Sequence, residues 1–296
     1  MILCNRPPFF PFLEPRMSRL PGVVPLNERD WIATPEDLNA QLAYRDRLVR
    51  DRREDVLGQV SEGTAPVLEL LDVLLGHLDE TNHWAVGASE VARPDGVTVT
   101  IDRSDPLAVI GRMVSEDFCI LAKPEDAAEY VLVAGALCFP SLWILSEKLG
   151  KPLTDIHEPV PNYDGDLAKR VNRIFDGIRA EQLLLRFNWS LPVTPELHAT
   201  PAHVAAMAPP DPRAQHYLRV ERQTFRRLPG TGAVVFGIRT AISPLSALAP
   251  AEAGALLDLV IRQSDEMFDY KDGGTVNRDL LRARLRDLSE PGRSGR

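Results

Sequence analysis

An α+β fold, a mainly antiparallel sheet with flanking helices and N- and C-terminal helical extensions, is the class expected for this chain, and three features of the sequence carry it. Helical periodicity dominates both ends of the chain, short strand-like runs cluster in the middle, and the helices among those runs do not alternate with them regularly. No G-x-G-x-x-G opens a helix and no G-x-x-x-x-G-K occurs, so nucleotide-binding folds drop out. With 296 residues, 44% hydrophobic and 26% charged, the chain can bury a core without a metal or a disulfide.

The elements follow in order. Residues 1–30 contain Pro7, Pro8, Pro11, Pro15, Pro21 and Pro25, which suits an extended arm pinned by Phe9, Phe10 and Phe12. Thr34 as N-cap and Pro35 at the first helical position predict a helix that carries Leu38, Leu42, Leu48 and Val49 and runs to about Val56. Val67, Leu68, Leu71, Leu74, Leu75 and Leu78 recur at helical spacing and predict a second. After the Pro94-Asp95-Gly96 turn signal, the runs 97–101, 118–122 and 130–137 read as strands of one sheet.

A helix is expected over 141–149, stopped by Gly150, followed by a loop over 151–165. Residues 166–179 give the cleanest helix, with Leu167, Val171, Ile174, Phe175 and Ile178 as its apolar stripe. Runs 183–189 and 233–240 are further strands, and the segment 192–214 between them reads as loop. Helices are expected from about 250 to 267 and from 278 to 288, then a fraying tail. The expected organisation is an N-terminal arm and helices over 1–78, a core over 79–248, and a C-terminal helical extension over 249–296.

The formal net charge of −8 offers no field to collect nucleic acid or anionic lipid. The prolines near the N-terminus break any signal-peptide pattern, and no window holds the roughly 18 apolar residues of a membrane span. Cys4, Cys119 and Cys138 form no C-x-x-C pair, and an odd count argues against a disulfide framework, which points to the cytoplasm. Cys119 and Cys138 lie in apolar runs and read as small buried hydrophobes. Without C-x-x-C-H, any haem would be held noncovalently.

His157 is the most informative candidate. It lies between Ile156 and the Glu158-Pro159-Val160-Pro161 run, where prolines restrict the backbone and an apolar flank excludes water, as a haem-iron ligand requires. From spacing alone, a histidine near a proline-rich loop is more often a structural or surface residue. His198 and His203 are five apart without helical support and do not form the one-face pair of a zinc site. Glu221, followed by Arg222, Arg226 and Arg227, offers cations around Phe225, with Arg186, Arg219 and Arg239 near the flanking strands; arginine forks pair with carboxylates, haem propionates included. The same pattern fits a solvated charged face. Glu221 is the carboxylate that could hold an amine cation or take its proton, and Phe187-Asn188-Trp189 could wall the same pocket. No G-x-S-x-G elbow anchors a hydrolase.

Five ordered motifs together resemble the haem-dependent oxidative N-demethylase-like family over about residues 20–270: Phe139-Pro140-Ser141-x-Trp143, Glu147-Lys148-x-Gly150-Lys151-Pro152, Ile156-His157-x-Pro159-Val160-Pro161, Asn188-Trp189, and the run from Glu221 to Pro229. The resemblance implies a catalytic (alpha) subunit with a PAS-like core over 79–248 that holds haem b noncovalently. It also implies an oxidoreductase that uses O2 and a small N-methyl amine and yields formaldehyde and the demethylated amine. His157 becomes the axial iron ligand, Glu221 and Arg222 catalytic-pocket residues, and Arg239, Arg186 and Arg226 cofactor-binding residues. With no cysteine set for an iron–sulfur cluster and no flavin fingerprint, electrons would come from a separate reductase component. The competing classes are a non-catalytic haem-binding PAS sensor or carrier and a haem-free structural protein, since fold alone does not decide function.

Overall fold

Residues 2–14, 22–125, 127–161, 165–192, 194–206, 216–272 and 277–290 are described by the computed structural model of the chain. A short strand, Val24–Leu26 (β1), ends the N-terminal arm, and the first helical region splits into Leu38–Asp51 (α1) and Arg53–Val56 (α2). Leu57–Gln59 (β2) leads to Thr64–Asp79 (α3), and Ala85–Val86 (β3), Glu90–Ala92 (β4) and Thr98–Thr100 (β5) form a small antiparallel sheet of their own. Pro106–Met113 (α4) precedes Asp117–Ala122 (β6) and Val131–Ala136 (β7). Three helices follow: Leu145–Lys148 (α5), Leu153–Ile156 (α6) and Gly165–Gly177 (α7). Leu183–Ser190 (β8), Pro201–Ala205 (α8), Tyr217–Arg227 (β9) and Val234–Pro244 (β10) complete the centre, and Pro250–Arg262 (α9), Asp265–Asp272 (α10) and Arg278–Ser289 (α11) end the described chain.

The main sheet is antiparallel in the order β1-β8-β9-β10-β6-β7-β2, so the α+β class expected from the sequence is the fold observed. One face carries Phe118, Ile120 and Val235 and is covered by Trp31 and the apolar sides of α1, α3 and α4. The other carries Cys119, Leu121, Val234 and Phe225 and meets Leu153, Ile156, Val171 and Phe175 from α6 and α7. A third cluster joins α9 and α11 to Trp189, Leu218 and Val220, with Phe10, Phe12 and Phe187 against it. The arm is pinned as its aromatics predict, with Phe9 stacked on Phe187 at 3.9 Å between ring centres.

Five expectations are corrected. Helix α1 starts at Leu38, not at Thr34, because the backbone turns at 35–38 and Asp37 spends its carboxylate on Arg239, Gln41 and Cys4 instead of a helix cap. The helix expected over 141–149 shrinks to α5, because Leu142 takes φ 60 and its N–H bonds Ala199 O at 2.8 Å. Residues 97–101 join the small sheet, not the main one. The loop expected over 151–165 holds the short helix α6, because Leu153 is buried and anchors it. The segment 216–227, for which the pattern gave no element, is one of the two longest strands among the described residues.

Cys119 and Cys138 are buried, as their apolar surroundings require, and desolvation pushes both thiols up, that of Cys138 to about 12. The segment 192–214 contains α8, capped by Thr200. Residues 193, 207–215 and the tail 291–296 lie outside the described residues. Among the described residues no helix is long and apolar enough to cross a membrane.

Candidate functional site

The turn that carries His157 is fastened to the start of β7. Leu132 N bonds Lys151 O at 3.1 Å, and Leu153 N bonds Tyr130 O at 3.0 Å. Thr154 gives its backbone N–H (3.0 Å) and its hydroxyl (2.7 Å) to the Glu129 carboxylate. Leu153 is buried as the anchor of the turn, and His157 ends it at the C-cap. The imidazole Nδ1 lies 2.8 Å from Leu153 O. A carbonyl only accepts, so the proton is assigned to Nδ1 and the neutral ring carries its lone pair on Nε2. Burial pushes the His157 pKa down against that hydrogen bond, and the charges of Arg186 and Lys148 push the same way as burial.

Strand alternation decides which arginines share a face with this turn. In the β8–β9 register Arg186 stands opposite Gln223 and Asn188 opposite Glu221, so all four project to one side, the side of Phe225 and Phe236. Glu221 accepts from Arg219 Nε at 3.0 Å, Gln223 Nε2 at 2.9 Å and Asn188 Nδ2 at 3.4 Å. Desolvation would raise the Glu221 pKa, but Arg219, Asn188 and Lys271 outweigh it and hold the carboxyl below its ordinary value.

Arg186 is half-buried and, among the described residues, makes no hydrogen bond or ion pair; desolvation lowers its pKa against the pull of Glu221. Phe236, on the central strand of the sheet, is half-buried on the same face, stacked on Phe225 at 4.9 Å. A partly exposed aromatic on a central strand marks an incompletely covered face.

Arg222, Arg226 and Arg239 are not brought to that face. They project from the opposite side of β9 and β10, where Arg222 stands directly across from Arg239. Arg222 donates to the carbonyls of Trp31 (3.0 Å) and Asp30, Arg226 pairs with Glu28 and lies 4.4 Å over the Trp31 ring, and Arg239 pairs with Asp37. The chain order Glu221-Arg222 thus separates two groups that the sequence pattern offered as one pocket.

Lys271 is the residue that sequence reasoning missed. Carried by α10 to the edge of β8, it donates to Asn188 Oδ1 and Trp189 O, both at 2.7 Å, and sits 4.9 Å over the Trp189 ring. Desolvation drops its pKa to about 8, against the pull of Glu221. No local motif marks it.

A cavity of about 230 Å³ lies elsewhere, between α1 and the segment that leads into α8. Its lining brings His198 and His203 to one space with Tyr44 and Arg47, and shares no residue with the His157 face. His198 is 2% exposed, its Nδ1 lies 2.8 Å from Cys138 O, and its Nε2 has no partner among the described residues. Among those residues no three histidine, cysteine or acidic side chains gather as a metal-ion site.

A histidine with a fixed Nε2 lone pair, a half-covered aromatic face and an unbonded guanidinium together make a site suited to a flat, anionic, iron-bearing cofactor. The sequence model of the family described as haem-dependent oxidative N-demethylase, alpha subunit-like, matches residues 22–281, and the chain belongs to that family.

Proposed function

We propose that the chain binds haem b noncovalently on a PAS-like sheet and acts as the catalytic subunit of an oxidative N-demethylase, with His157 as the residue that would hold its iron. The observation that carries this is the Nδ1–Leu153 hydrogen bond of His157, on the face that also holds Arg186 without a hydrogen-bond partner among the described residues. Metal-bound histidines characteristically donate the other ring N–H to a carbonyl or carboxylate, which fixes ring orientation and raises ligand basicity. The family description names the cofactor and the reaction class, which supports the same reading.

The residues present fit the group. The Phe225–Phe236 stack and Ile156 offer an apolar bed for a porphyrin plane, and Arg186 offers a fork for a carboxylate. Bound haem would supply the iron and oxygen chemistry that converts an N-methyl amine to formaldehyde and the demethylated amine. The chain's part is to orient the substrate, exclude water and hold charge. Glu221 is the carboxylate that pairs with Arg219 and orients a substrate amine through its hydrogen-bonded frame. Arg222, Arg226 and Arg239 hold the N-terminal segment to the back of the sheet. Electrons come from a separate reductase component, in keeping with an alpha-subunit family.

The test is the absorption spectrum of haem-supplemented protein, oxidised and dithionite-reduced, for wild type and His157→Ala, followed by amine-dependent formaldehyde release. A Soret band that shifts on reduction and is lost or altered in the variant is the expected result. Failure of the wild type to take up stoichiometric haem would reject the proposal.

A further inference from the structure

Among the described residues, several charged side chains act on one another around Glu221. Arg219 is ion-paired to Glu221, Lys271 and Arg186 are each drawn to it electrostatically, Tyr270 is a further titratable neighbour, and Arg186 also acts on His157. Three cations therefore surround one carboxylate. Glu221 is already engaged by Arg219, Gln223 and Asn188, so it does not also neutralise Arg186 and Lys271. The excess is two positive charges in a partly desolvated place, where uncompensated charge is costly. A ligand that carries two carboxylates would cancel it.

The donors fit such a ligand as well as the charge does. Among the described residues Arg186 has its whole guanidinium fork unused, and Lys271 spends two of three N–H donors on Asn188 Oδ1 and Trp189 O and keeps one. The two contacts hold the ammonium at the edge of β8, where the Asn188 side chain projects to the same face as Arg186. Lys271 O also accepts from Leu191 N at 3.0 Å, so the backbone of α10 is fastened to the end of that strand and the cation is held in place, not merely free to visit.

We propose that Lys271, delivered by α10, is the second cationic anchor for carboxylates at this site, Arg186 being the first, and that the carboxylates are the two propionates of the haem. This rests on the haem reading above and adds to it a residue from the C-terminal helices. The same chemistry would suit the carboxylate of an N-methyl amino acid substrate, and the experiment separates the two sources.

Haem affinity is measured by transfer to apomyoglobin for wild type, Lys271→Gln and Lys271→Arg, with haem b and with its dimethyl ester, whose propionates carry no charge. The Lys271→Gln amide keeps a donor for Asn188 and Trp189, and Lys271→Arg keeps the charge. A charge-assisted hydrogen bond makes the expected loss for haem b in Lys271→Gln about ten- to a hundredfold. Binding of the dimethyl ester should be unchanged, and Lys271→Arg should restore haem b binding. Equal affinity of wild type and Lys271→Gln for haem b overturns the proposal and leaves the His157 reading intact. An equal loss for haem b and its ester also overturns it, by showing a packing effect. Unchanged haem affinity with loss of the spectral response to sarcosine, but not to dimethylamine, reassigns Lys271 to a substrate carboxylate and overturns it too. A wild type that takes up no haem overturns both proposals.

Discussion

Glu221 and Arg222 are neighbours in the chain and stand on opposite faces of β9. Glu221 takes Arg219 and Gln223 on the side of Arg186, whereas Arg222 donates to the backbone carbonyls of Asp30 and Trp31 on the other. Their substitutions should therefore fail in different assays. Arg222→Ala leaves two carbonyls short of a charged donor and should cost about 1–3 kcal/mol in urea denaturation, with the spectrum of bound haem unchanged. Arg186→Ala removes a cation with no hydrogen-bond partner among the described residues and should leave apoprotein stability within about 1 kcal/mol while weakening haem uptake.

Arg239 and Asp37 form an ion pair with side chains 5% and 8% exposed, joining β10 to the start of α1. Arg239→Ala strands the carboxylate of Asp37 beside Gln41 and Cys4. A loss of about 3–5 kcal/mol is expected in equilibrium unfolding, and the double variant with Asp37→Ala should recover part of it.

Lys271 gives a pH signature. Desolvation sets its folded pKa at about 8, below the ordinary lysine value, so the unfolded chain binds that proton more tightly. The cost of keeping the ammonium charged in place is fully present below about pH 8 and fades as pH rises from there toward the ordinary value. Desolvation lowers the Arg186 pKa and raises that of Tyr270, but both groups are common to wild type and variant, so the difference between the two proteins reports Lys271. Wild-type apoprotein should gain stability relative to Lys271→Met across it, read as urea midpoints at stepped pH. A constant difference between the two proteins would reject the assignment.

Leu142 is the non-glycine residue with positive φ among the described residues, at 60°, and it is 39% exposed. Leu142→Gly relieves the Cβ clash of the left-handed conformation and should raise stability by up to about 1 kcal/mol, visible as a higher urea midpoint.

Gly237 lies between Phe236 and Ile238 on β10, where a Cβ would stand 2.6 Å from Thr224 Oγ1 and 3.2 Å from the Phe118 ring. Gly237→Ala should cost about 1–3 kcal/mol through overpacking. Because the clash is on the face away from His157, His157→Ala and Gly237→Ala should be additive in stability within about 0.5 kcal/mol.

The helices α3, α7 and α11 were legible because apolar stripes at helical spacing leave one consistent solution, and β6, β7, β8 and β10 because apolar runs have few other places to go. Strand β9 was not. A strand normally announces itself by one apolar face, but here Arg219, Glu221 and Gln223 serve one polar site while Arg222, Thr224 and Arg226 face the Trp31 segment, so alternation is hidden. The same concealment made Arg222, Arg226 and Arg239 look like neighbours of Glu221. His157 stood out because its flanking prolines constrain the chain locally. Lys271 did not, because its partners Asn188 and Trp189 lie 83 and 82 residues away in sequence.

A strand committed on both faces leaves a trace in the mutational record of the protein. Along β9, saturation scanning should return two interleaved phenotypes with a period of two residues. At 221 and 223 variants should accumulate in the cell yet be colourless or inactive, and at 222, 224 and 226 they should be scarce but of normal specific activity; Arg219, buried and bonded to Phe139 O as well as Glu221, should lose both. No position in that run is a neutral site at which charge can drift, so Glu221 and Arg222 should persist for two unrelated reasons at adjacent codons.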